Sequence, residues 1–314
     1  MTLENYVREL DEIALDFAAR EVIHSAINNP SDTNSPLSIT KSNRTDSKNS
    51  SSLVVMNMCD CFEYDGYPGI RVVKELERRG LPFTGASSQF YEITTSKILM
   101  KKLMLSNQVP TSPFVQMHLE TLDEDISEAE KLIGFPMIVK LDLSSGSCGI
   151  SDKSVVWSAE QARTQVKSIW HEAQGRVFIE KFLAGREFTV LVTGNESTGY
   201  PLLGICERVF HQSLDRYQKF YSFERCWDGY GLKATKPELL DEFVQYRLPP
   251  AEHFQSLASV ALAAYKLMSG NSYGRVDIRT DSDDLSVAKV FVLEVNSQVF
   301  YTDSLILLVS VLHF

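Results

Sequence analysis

The sequence predicts a mixed α/β (α+β) protein built in two or three lobes. Short apolar runs suited to buried strands alternate with amphipathic stretches at helical spacing between residues 53 and 182. A long helical stripe at 251–268 is then followed by two strand patterns, 274–280 and 288–296, joined by the turn-rich Asp281-Ser-Asp-Asp284. The length, 314 residues, is about twice the ~150 residues of a typical domain.

The elements follow in order. Residues 3–27 carry Leu3, Tyr6, Leu10, Ile13 and Phe17 at helical spacing, then Val22, Ile23 and Ile27. Residues 28–52 are rich in Ser, Asn, Thr and Asp and hold only Leu37 and Ile39 as large apolar side chains. Such a stretch buries too little to offset its ordering entropy, so a disordered insertion is expected. The run 53–58 suits a buried strand, and Asp65-Gly66 and Pro68-Gly69 mark turns. Residues 70–79 read as a helix with Val72, Val73 and Leu76 inward, stopped by Gly80, and Pro82-Phe-Thr-Gly85 opens another short strand.

One helix is expected over 91–106 and another over 123–133, acidic early and with Lys131 late, as the helix dipole favours. Strand 137–140 leads into a Ser/Gly loop at 144–149. Helix 159–170 and strands 177–182 and 187–193 follow, while 206–250 reads as irregular, polar and aromatic. Three lobes result: 1–92 with its insertion, 93–184, and 185–314.

Composition narrows the function. The net charge is −10, and the basic pairs Lys101-Lys102 and Arg78-Arg79 read as solvated helix faces, so nucleic acid is not expected as a partner. The most apolar run, 305–312, is far shorter than the ~20 residues of a spanning helix, so no membrane partner is expected either. That run suits a buried helix or strand, or a truncated end. The first residues have no basic and apolar leader pattern, and the five scattered cysteines read as reduced thiols, so a cytoplasmic location is expected. Scattered histidines make a zinc site unexpected.

Three segments carry candidate chemistry. In Arg275-Val-Asp-Ile-Arg279 the residues Arg275, Asp277 and Arg279 share one strand face, and in Leu293-Glu-Val-Asn296 so do Glu294 and Asn296. If the strands pair, Asp277, Glu294 and Asn296 converge as hard oxygen donors suited to magnesium with substrate phosphates. From alternation alone the plainer reading is the polar outer face of a half-exposed hairpin. Strand 137–140 ends on Lys140 before the Ser/Gly loop, whose small residues let backbone N–H groups approach phosphate oxygens. Alone, such a loop is usually only a loop. Glu180 and Glu187 flank a Gly turn among apolar residues, and read either as acceptors for an adenine amine or ribose hydroxyl or as ordinary strand acids.

The order of these segments resembles the ATP-grasp superfamily and, within it, the D-alanine–D-alanine ligase family. The carriers are Lys97, then Gly134-Phe-Pro-Met-Ile-Val-Lys140 with its loop, Ile179-Glu-Lys-Phe-Leu-Ala-Gly-Arg-Glu187, Gly274-Arg-Val-Asp277 and Leu293-Glu-Val-Asn296. Pro82-Phe-Thr-Gly-Ala86 also resembles a stretch of that family. The resemblance spans about residues 53–304 and implies an ATP-grasp fold with an N-terminal α/β lobe. It implies that Lys97, Lys140 and Lys219 bind nucleotide phosphates, with Ser147 and Gly149 in the phosphate loop. Glu180 and the backbone of Lys181 and Leu183 hold adenine, and Glu187 holds ribose. Asp277, Glu294 and Asn296 bind Mg2+, or Mn2+ in its place. Arg275 stabilises the reaction intermediates, and Ser304 meets a substrate carboxylate. The implied activity is ATP-dependent joining of a carboxylate to an amine through an acyl phosphate, on an amino acid or small peptide, with a homodimer as the assembly.

The pattern departs from the family at the substrate end. Asn296-Ser-Gln-Val-Phe-Tyr-Thr-Asp-Ser304 lacks the family's Pro and Gly, Phe220 stands at a family tyrosine, and Gly146 stands at a family serine. The N-terminal glycine-rich strand and its glutamate are missing. A catalytically impaired nucleotide-binding scaffold or regulatory protein is therefore the alternative.

Overall fold

The computed structural model describes residues 54–57, 69–144, 146–200, 202–223 and 244–297. The expected helix at 3–27, the insertion at 28–52, Ser304, the run 305–312 and Cys59, Cys61 and Cys226 lie outside these residues. The chain divides into two compact units, Met1–Thr84 and Gly85–Phe314.

In the first unit, helix α1 (Ile70–Arg79) buries Val72, Val73 and Leu76 as its spacing requires. Gly80 ends it at φ 64°, the left-handed conformation that favours glycine. Val55 and Phe83 form a parallel bridge, and both pack with Val72 and Leu76. Where short strands were expected on either side of this helix, the described residues show this single bridge. Arg78 and Arg79 both grip Glu75, so this basic pair is ion-paired rather than merely solvated.

The second unit opens with α2 (Ser88–Thr95) and α3 (Lys97–Ser106). The continuous helix expected at 91–106 is therefore interrupted. Ser96 takes an extended conformation (φ −101°, ψ 115°), and its hydroxyl accepts from Leu99 N and donates to Asp142 Oδ1 at 2.7 Å. Asp142 Oδ1 also accepts from Ile98 N at 2.8 Å. A distant aspartate thus caps α3 and stops the preceding helix.

Strands β1 (Phe114–Gln116), β2 (Met137–Leu141), β3 (Val155–Val156) and β4 (Val177–Lys181) form an antiparallel sheet in the order β1-β4-β2-β3. Helices α4 (Leu122–Leu132) and α5 (Ala159–Ile169) cover it, and Ile126, Ala129, Ala162 and Val166 pack against Met137, Val139, Val177 and Ile179. Each large apolar side chain so buried stabilises the unit by about 1.5–3 kcal/mol.

Strands β5 (Glu187–Thr193), β6 (Leu202–Phe210), β7 (Val244–Arg247), β8 (Tyr273–Thr280) and β9 (Val290–Asn296) form a second antiparallel sheet in the order β7-β6-β5-β8-β9. Helix α6 (Phe254–Leu267), preceded by a 3-10 turn, lies on one face and buries Leu257, Ala261, Ala264 and Tyr265. Phe188, Val190, Val276 and Ile278 are fully buried, as alternation required. The expectation of an irregular 206–250 is corrected at both ends, where β6 and β7 pair. Glu207 and Arg208 disguise β6 as a surface segment. Both charges are instead satisfied across strands, Glu207 by Arg186 and Arg247 and Arg208 by Glu187. Among the described residues no helix is long and apolar enough to cross a membrane.

Candidate functional site

Strands β8 and β9 pair with Asp277 opposite Glu294 and Arg275 opposite Asn296. Asn296 Nδ2 lies 3.1 Å from Asp277 Oδ2 and 3.4 Å from Glu294 Oε1. The three side chains expected to converge therefore meet. Two carboxylates and an amide are hard ligand types suited to magnesium, and here the Asn296 amide donates its N–H groups to both carboxylates. Thr189 on β5 donates to Asp277 Oδ1 at 2.9 Å, and Arg275 holds both oxygens of Asp277 at 3.0–3.2 Å. Burial by itself would raise the Asp277 pKa, but the Arg275 and Arg208 guanidiniums hold it below the usual carboxylate range.

Lys97 is the first residue of α3, and its ammonium sits 3.3 Å from Glu294 Oε2. It also donates to the carbonyl and hydroxyl of Ser144, at the start of the Ser/Gly loop. In that loop Gly146, Ser147 and Gly149 all have positive φ (55°, 61° and 72°), and Ile150 N bonds the Ser147 carbonyl at 3.0 Å. Successive left-handed residues turn peptide dipoles in a way an extended loop does not. The segment after Lys219 closes on the same loop, with Phe223 N donating to Ile150 O at 2.7 Å. The Lys219 carbonyl accepts from Arg279 Nη2 at 2.5 Å.

Lys140, at the end of β2, places its ammonium 2.5 Å from Glu180 Oε1. Glu180 is 1% exposed, and its other oxygen meets Lys101 and Ser112, each at 2.5 Å. Burial alone would raise this carboxyl's pKa, but the two ammonium groups outweigh it and hold the value at about 2. Lys181 donates its backbone N–H to Pro113 O at 3.0 Å, and Leu183, two residues further on, is buried. Glu187, on β5, is gripped by Arg208 and by Arg279, the latter at 3.2 Å. Glu180 and Glu187 are thus buried ion-pair partners, not ordinary strand acids.

Lys101 corrects one expectation. It is 1% exposed, whereas its neighbour Lys102 faces solvent. It falls on the α3 stripe of Ile98 and Met104, at i+3 and i−3 spacing, and that placement was the available sequence signal. Arg208 and Asp142 were also missed, since both depend on partners far along the chain. Burial works against Arg208's charge, but Glu187 outweighs it and raises the pKa well above its ordinary value. The guanidinium lies 4.6 Å from the Tyr221 ring centroid.

Two antiparallel sheets, with lysines, arginines and carboxylates gathered on the second sheet and beside the first sheet's Ser/Gly loop, have the architecture of the ATP-grasp fold. Solved structures agree. D-alanine–D-alanine ligase from Bacillus anthracis complexed with ATP is 21% identical, covers 72% of this chain and 62% of its own, and gives a TM-score of 0.53. The VanG D-Ala:D-Ser ligase from Enterococcus faecalis is 16% identical over 72% of this chain and 59% of its own, with a TM-score of 0.56. A biotin carboxylase from Campylobacter jejuni is 17% identical over 74% and 46%, also at 0.56. The chain therefore spans 62% and 59% of the length of the two ligases. Residues 103–308 match the family model for the D-ala D-ala ligase C-terminus, and the chain belongs to that family.

Proposed function

We propose that this chain is an ATP- and magnesium-dependent carboxylate–amine ligase acting on an amino acid or small peptide. The observation that carries the reading is the meeting of Asp277, Glu294 and Asn296, with Lys97 closing on Glu294. In the proposed reaction a substrate carboxylate oxygen attacks the γ-phosphorus of ATP and ADP leaves. An amine then attacks the acyl carbon, phosphate leaves, and the amine loses a proton.

Asp277, Glu294 and Asn296 would hold magnesium, which when bound neutralises charge on the transferring phosphate. Lys97, Lys140 and Lys219 bind phosphate oxygens, and Ser147 and Gly149 present loop backbone to them. Glu180 with the backbone of Lys181 and Leu183 receives the base, and Glu187 the ribose. Arg275, beside the magnesium ligands, stabilises the anionic intermediates, and Ser304 meets a substrate carboxylate. The three-lobe division at 1–92, 93–184 and 185–314, a cytoplasmic location, a homodimer and manganese as a substitute belong to the same proposal.

The test is a coupled ADP-release assay over pairs of amino acids and short peptides, with Glu294→Ala as control. Activity that vanishes in the control is expected. No ADP or phosphate release with any pair sinks the ligase reading. The second reading, a nucleotide-binding protein without turnover, is favoured by one observation. Both oxygens of Glu180, Glu187 and Asp277 are already engaged by protein donors. Magnesium-ATP binding without turnover would decide for it.

A further inference from the structure

Three groups surround Glu180, and they differ in freedom. Lys101 is sealed in: its ammonium meets Glu180 Oε2 at 2.5 Å, Thr111 Oγ1 at 3.0 Å and Ser112 Oγ at 2.9 Å, and the Phe114 ring centroid lies 5.9 Å away. Thr111 is itself tied to the β9 carbonyl of Val292 at 2.8 Å. Lys140 differs. Its side chain is 14% exposed, and among the described residues its ion-pair partner is Glu180. Among the described residues, Glu294 on β9 and Arg279 on β8 are further charged groups whose fields reach this cluster.

We propose that Lys101 is a positioning residue, a fixed counter-ion to Glu180 that leaves Lys140 free to exchange that carboxylate for a phosphate of the bound nucleotide. The inference rests on the assignment of Lys140 to phosphate made above. A fully buried carboxylate stripped of its last cation is strongly unfavourable. If Lys140 were the only cation on Glu180, its departure would create that state, and the ammonium would stay where it is. With Lys101 held by three fixed partners, Glu180 keeps a charge partner and a hydrogen bond from Ser112 after Lys140 leaves. The two lysines therefore divide the work: one neutralises the carboxylate in every state, the other moves.

The experiment is calorimetric titration with magnesium-ATP and with magnesium tripolyphosphate, which lacks a base. It compares the wild-type chain, Lys101→Met, and Lys101→Met/Glu180→Gln, each checked by thermal unfolding. Lys101→Met is expected to weaken both ligands by at least about tenfold, because Lys140 stays on Glu180. The double variant should regain tripolyphosphate affinity to within about threefold of wild type, because a neutral amide oxygen holds the ammonium far less tightly than a carboxylate does. A purely structural Lys101 would not produce that selective recovery.

The inference is overturned if Lys101→Met binds both ligands like wild type, or if the double variant binds tripolyphosphate no better than the single one. Should Lys101→Met fail to fold, the double variant decides alone: near-wild-type tripolyphosphate binding supports the inference, and a tenfold loss overturns it. A wild-type chain that binds neither ligand removes the nucleotide reading, and this inference with it. Wild-type binding with an indifferent Lys101→Met removes the inference alone.

Discussion

Asp142 offers the sharpest stability prediction. It is fully buried and follows Lys140 by two residues. Its Oδ1 accepts from Ser96 Oγ at 2.7 Å and Ile98 N at 2.8 Å, and its Oδ2 accepts from Arg176 Nε at 2.8 Å and Nη2 at 2.6 Å. In Asp142→Ala the Ser96 hydroxyl and the Ile98 N–H lose their acceptor, at about 1–3 kcal/mol each. The Arg176 side chain is 51% exposed, so that pair adds only about 0–1 kcal/mol after solvent screening. The expected loss is thus about 2–7 kcal/mol, which for a unit of this size lowers Tm by roughly 4–28 °C. Asp142→Asn retains an acceptor oxygen for Ile98 N and should lose less than half as much. Scanning calorimetry of the three chains measures this. An Asp142→Ala melting point within about 1 °C of wild type would refute the capping argument. So would an Asn variant as damaged as the Ala variant, which would assign the effect to charge rather than to the cap. Lys97 N bonds the Asp142 carbonyl at 3.2 Å, so the same loss should loosen the Lys97 end of α3.

Acid should destabilise the second unit through Glu180. Its folded pKa of about 2 lies below the ordinary carboxylate value of 4.5, so its contribution is full above pH 4.5 and is lost as pH falls toward 2. The difference amounts to about 3 kcal/mol at most. Urea midpoints between pH 6 and pH 3 should therefore fall less steeply for Glu180→Gln than for wild type, and parallel slopes would remove Glu180 as the cause. Gly185→Ala should destabilise by at least about 2 kcal/mol, because its Cβ would lie 2.5 Å from the backbone oxygens of Thr280 and Ser282; an unchanged melting curve would contradict this. Asp277→Asn should weaken magnesium-ATP binding by at least about tenfold while leaving the hydrogen bond from Thr189 an acceptor oxygen. Equal affinity in a calorimetric titration would take Asp277 out of the metal set.

Strand β5, helix α1 and the pairing of β8 with β9 were legible because their signals are local. Alternation sends Val276 and Ile278 to one face and Asp277 to the other, and every third or fourth apolar residue makes the stripe of α1. The order of Lys97, Lys140, Glu187, Asp277, Glu294 and Asn296 along the chain was enough to point to the family. The remainder depends on partners distant in sequence. Ser96 breaks a helix because Asp142, 46 residues away, accepts its hydroxyl. The charges on β6 are paired because Arg186, Arg247 and Glu187 arrive from elsewhere in the chain. Lys101 and Lys102 are adjacent and identical in type, yet only one is sealed beside Glu180. The sequence alone therefore determined which side chains share a face and in what order they come. Only the tertiary structure decided which charges are paired, because the free energy of a buried charge depends on a neighbour that local spacing does not specify.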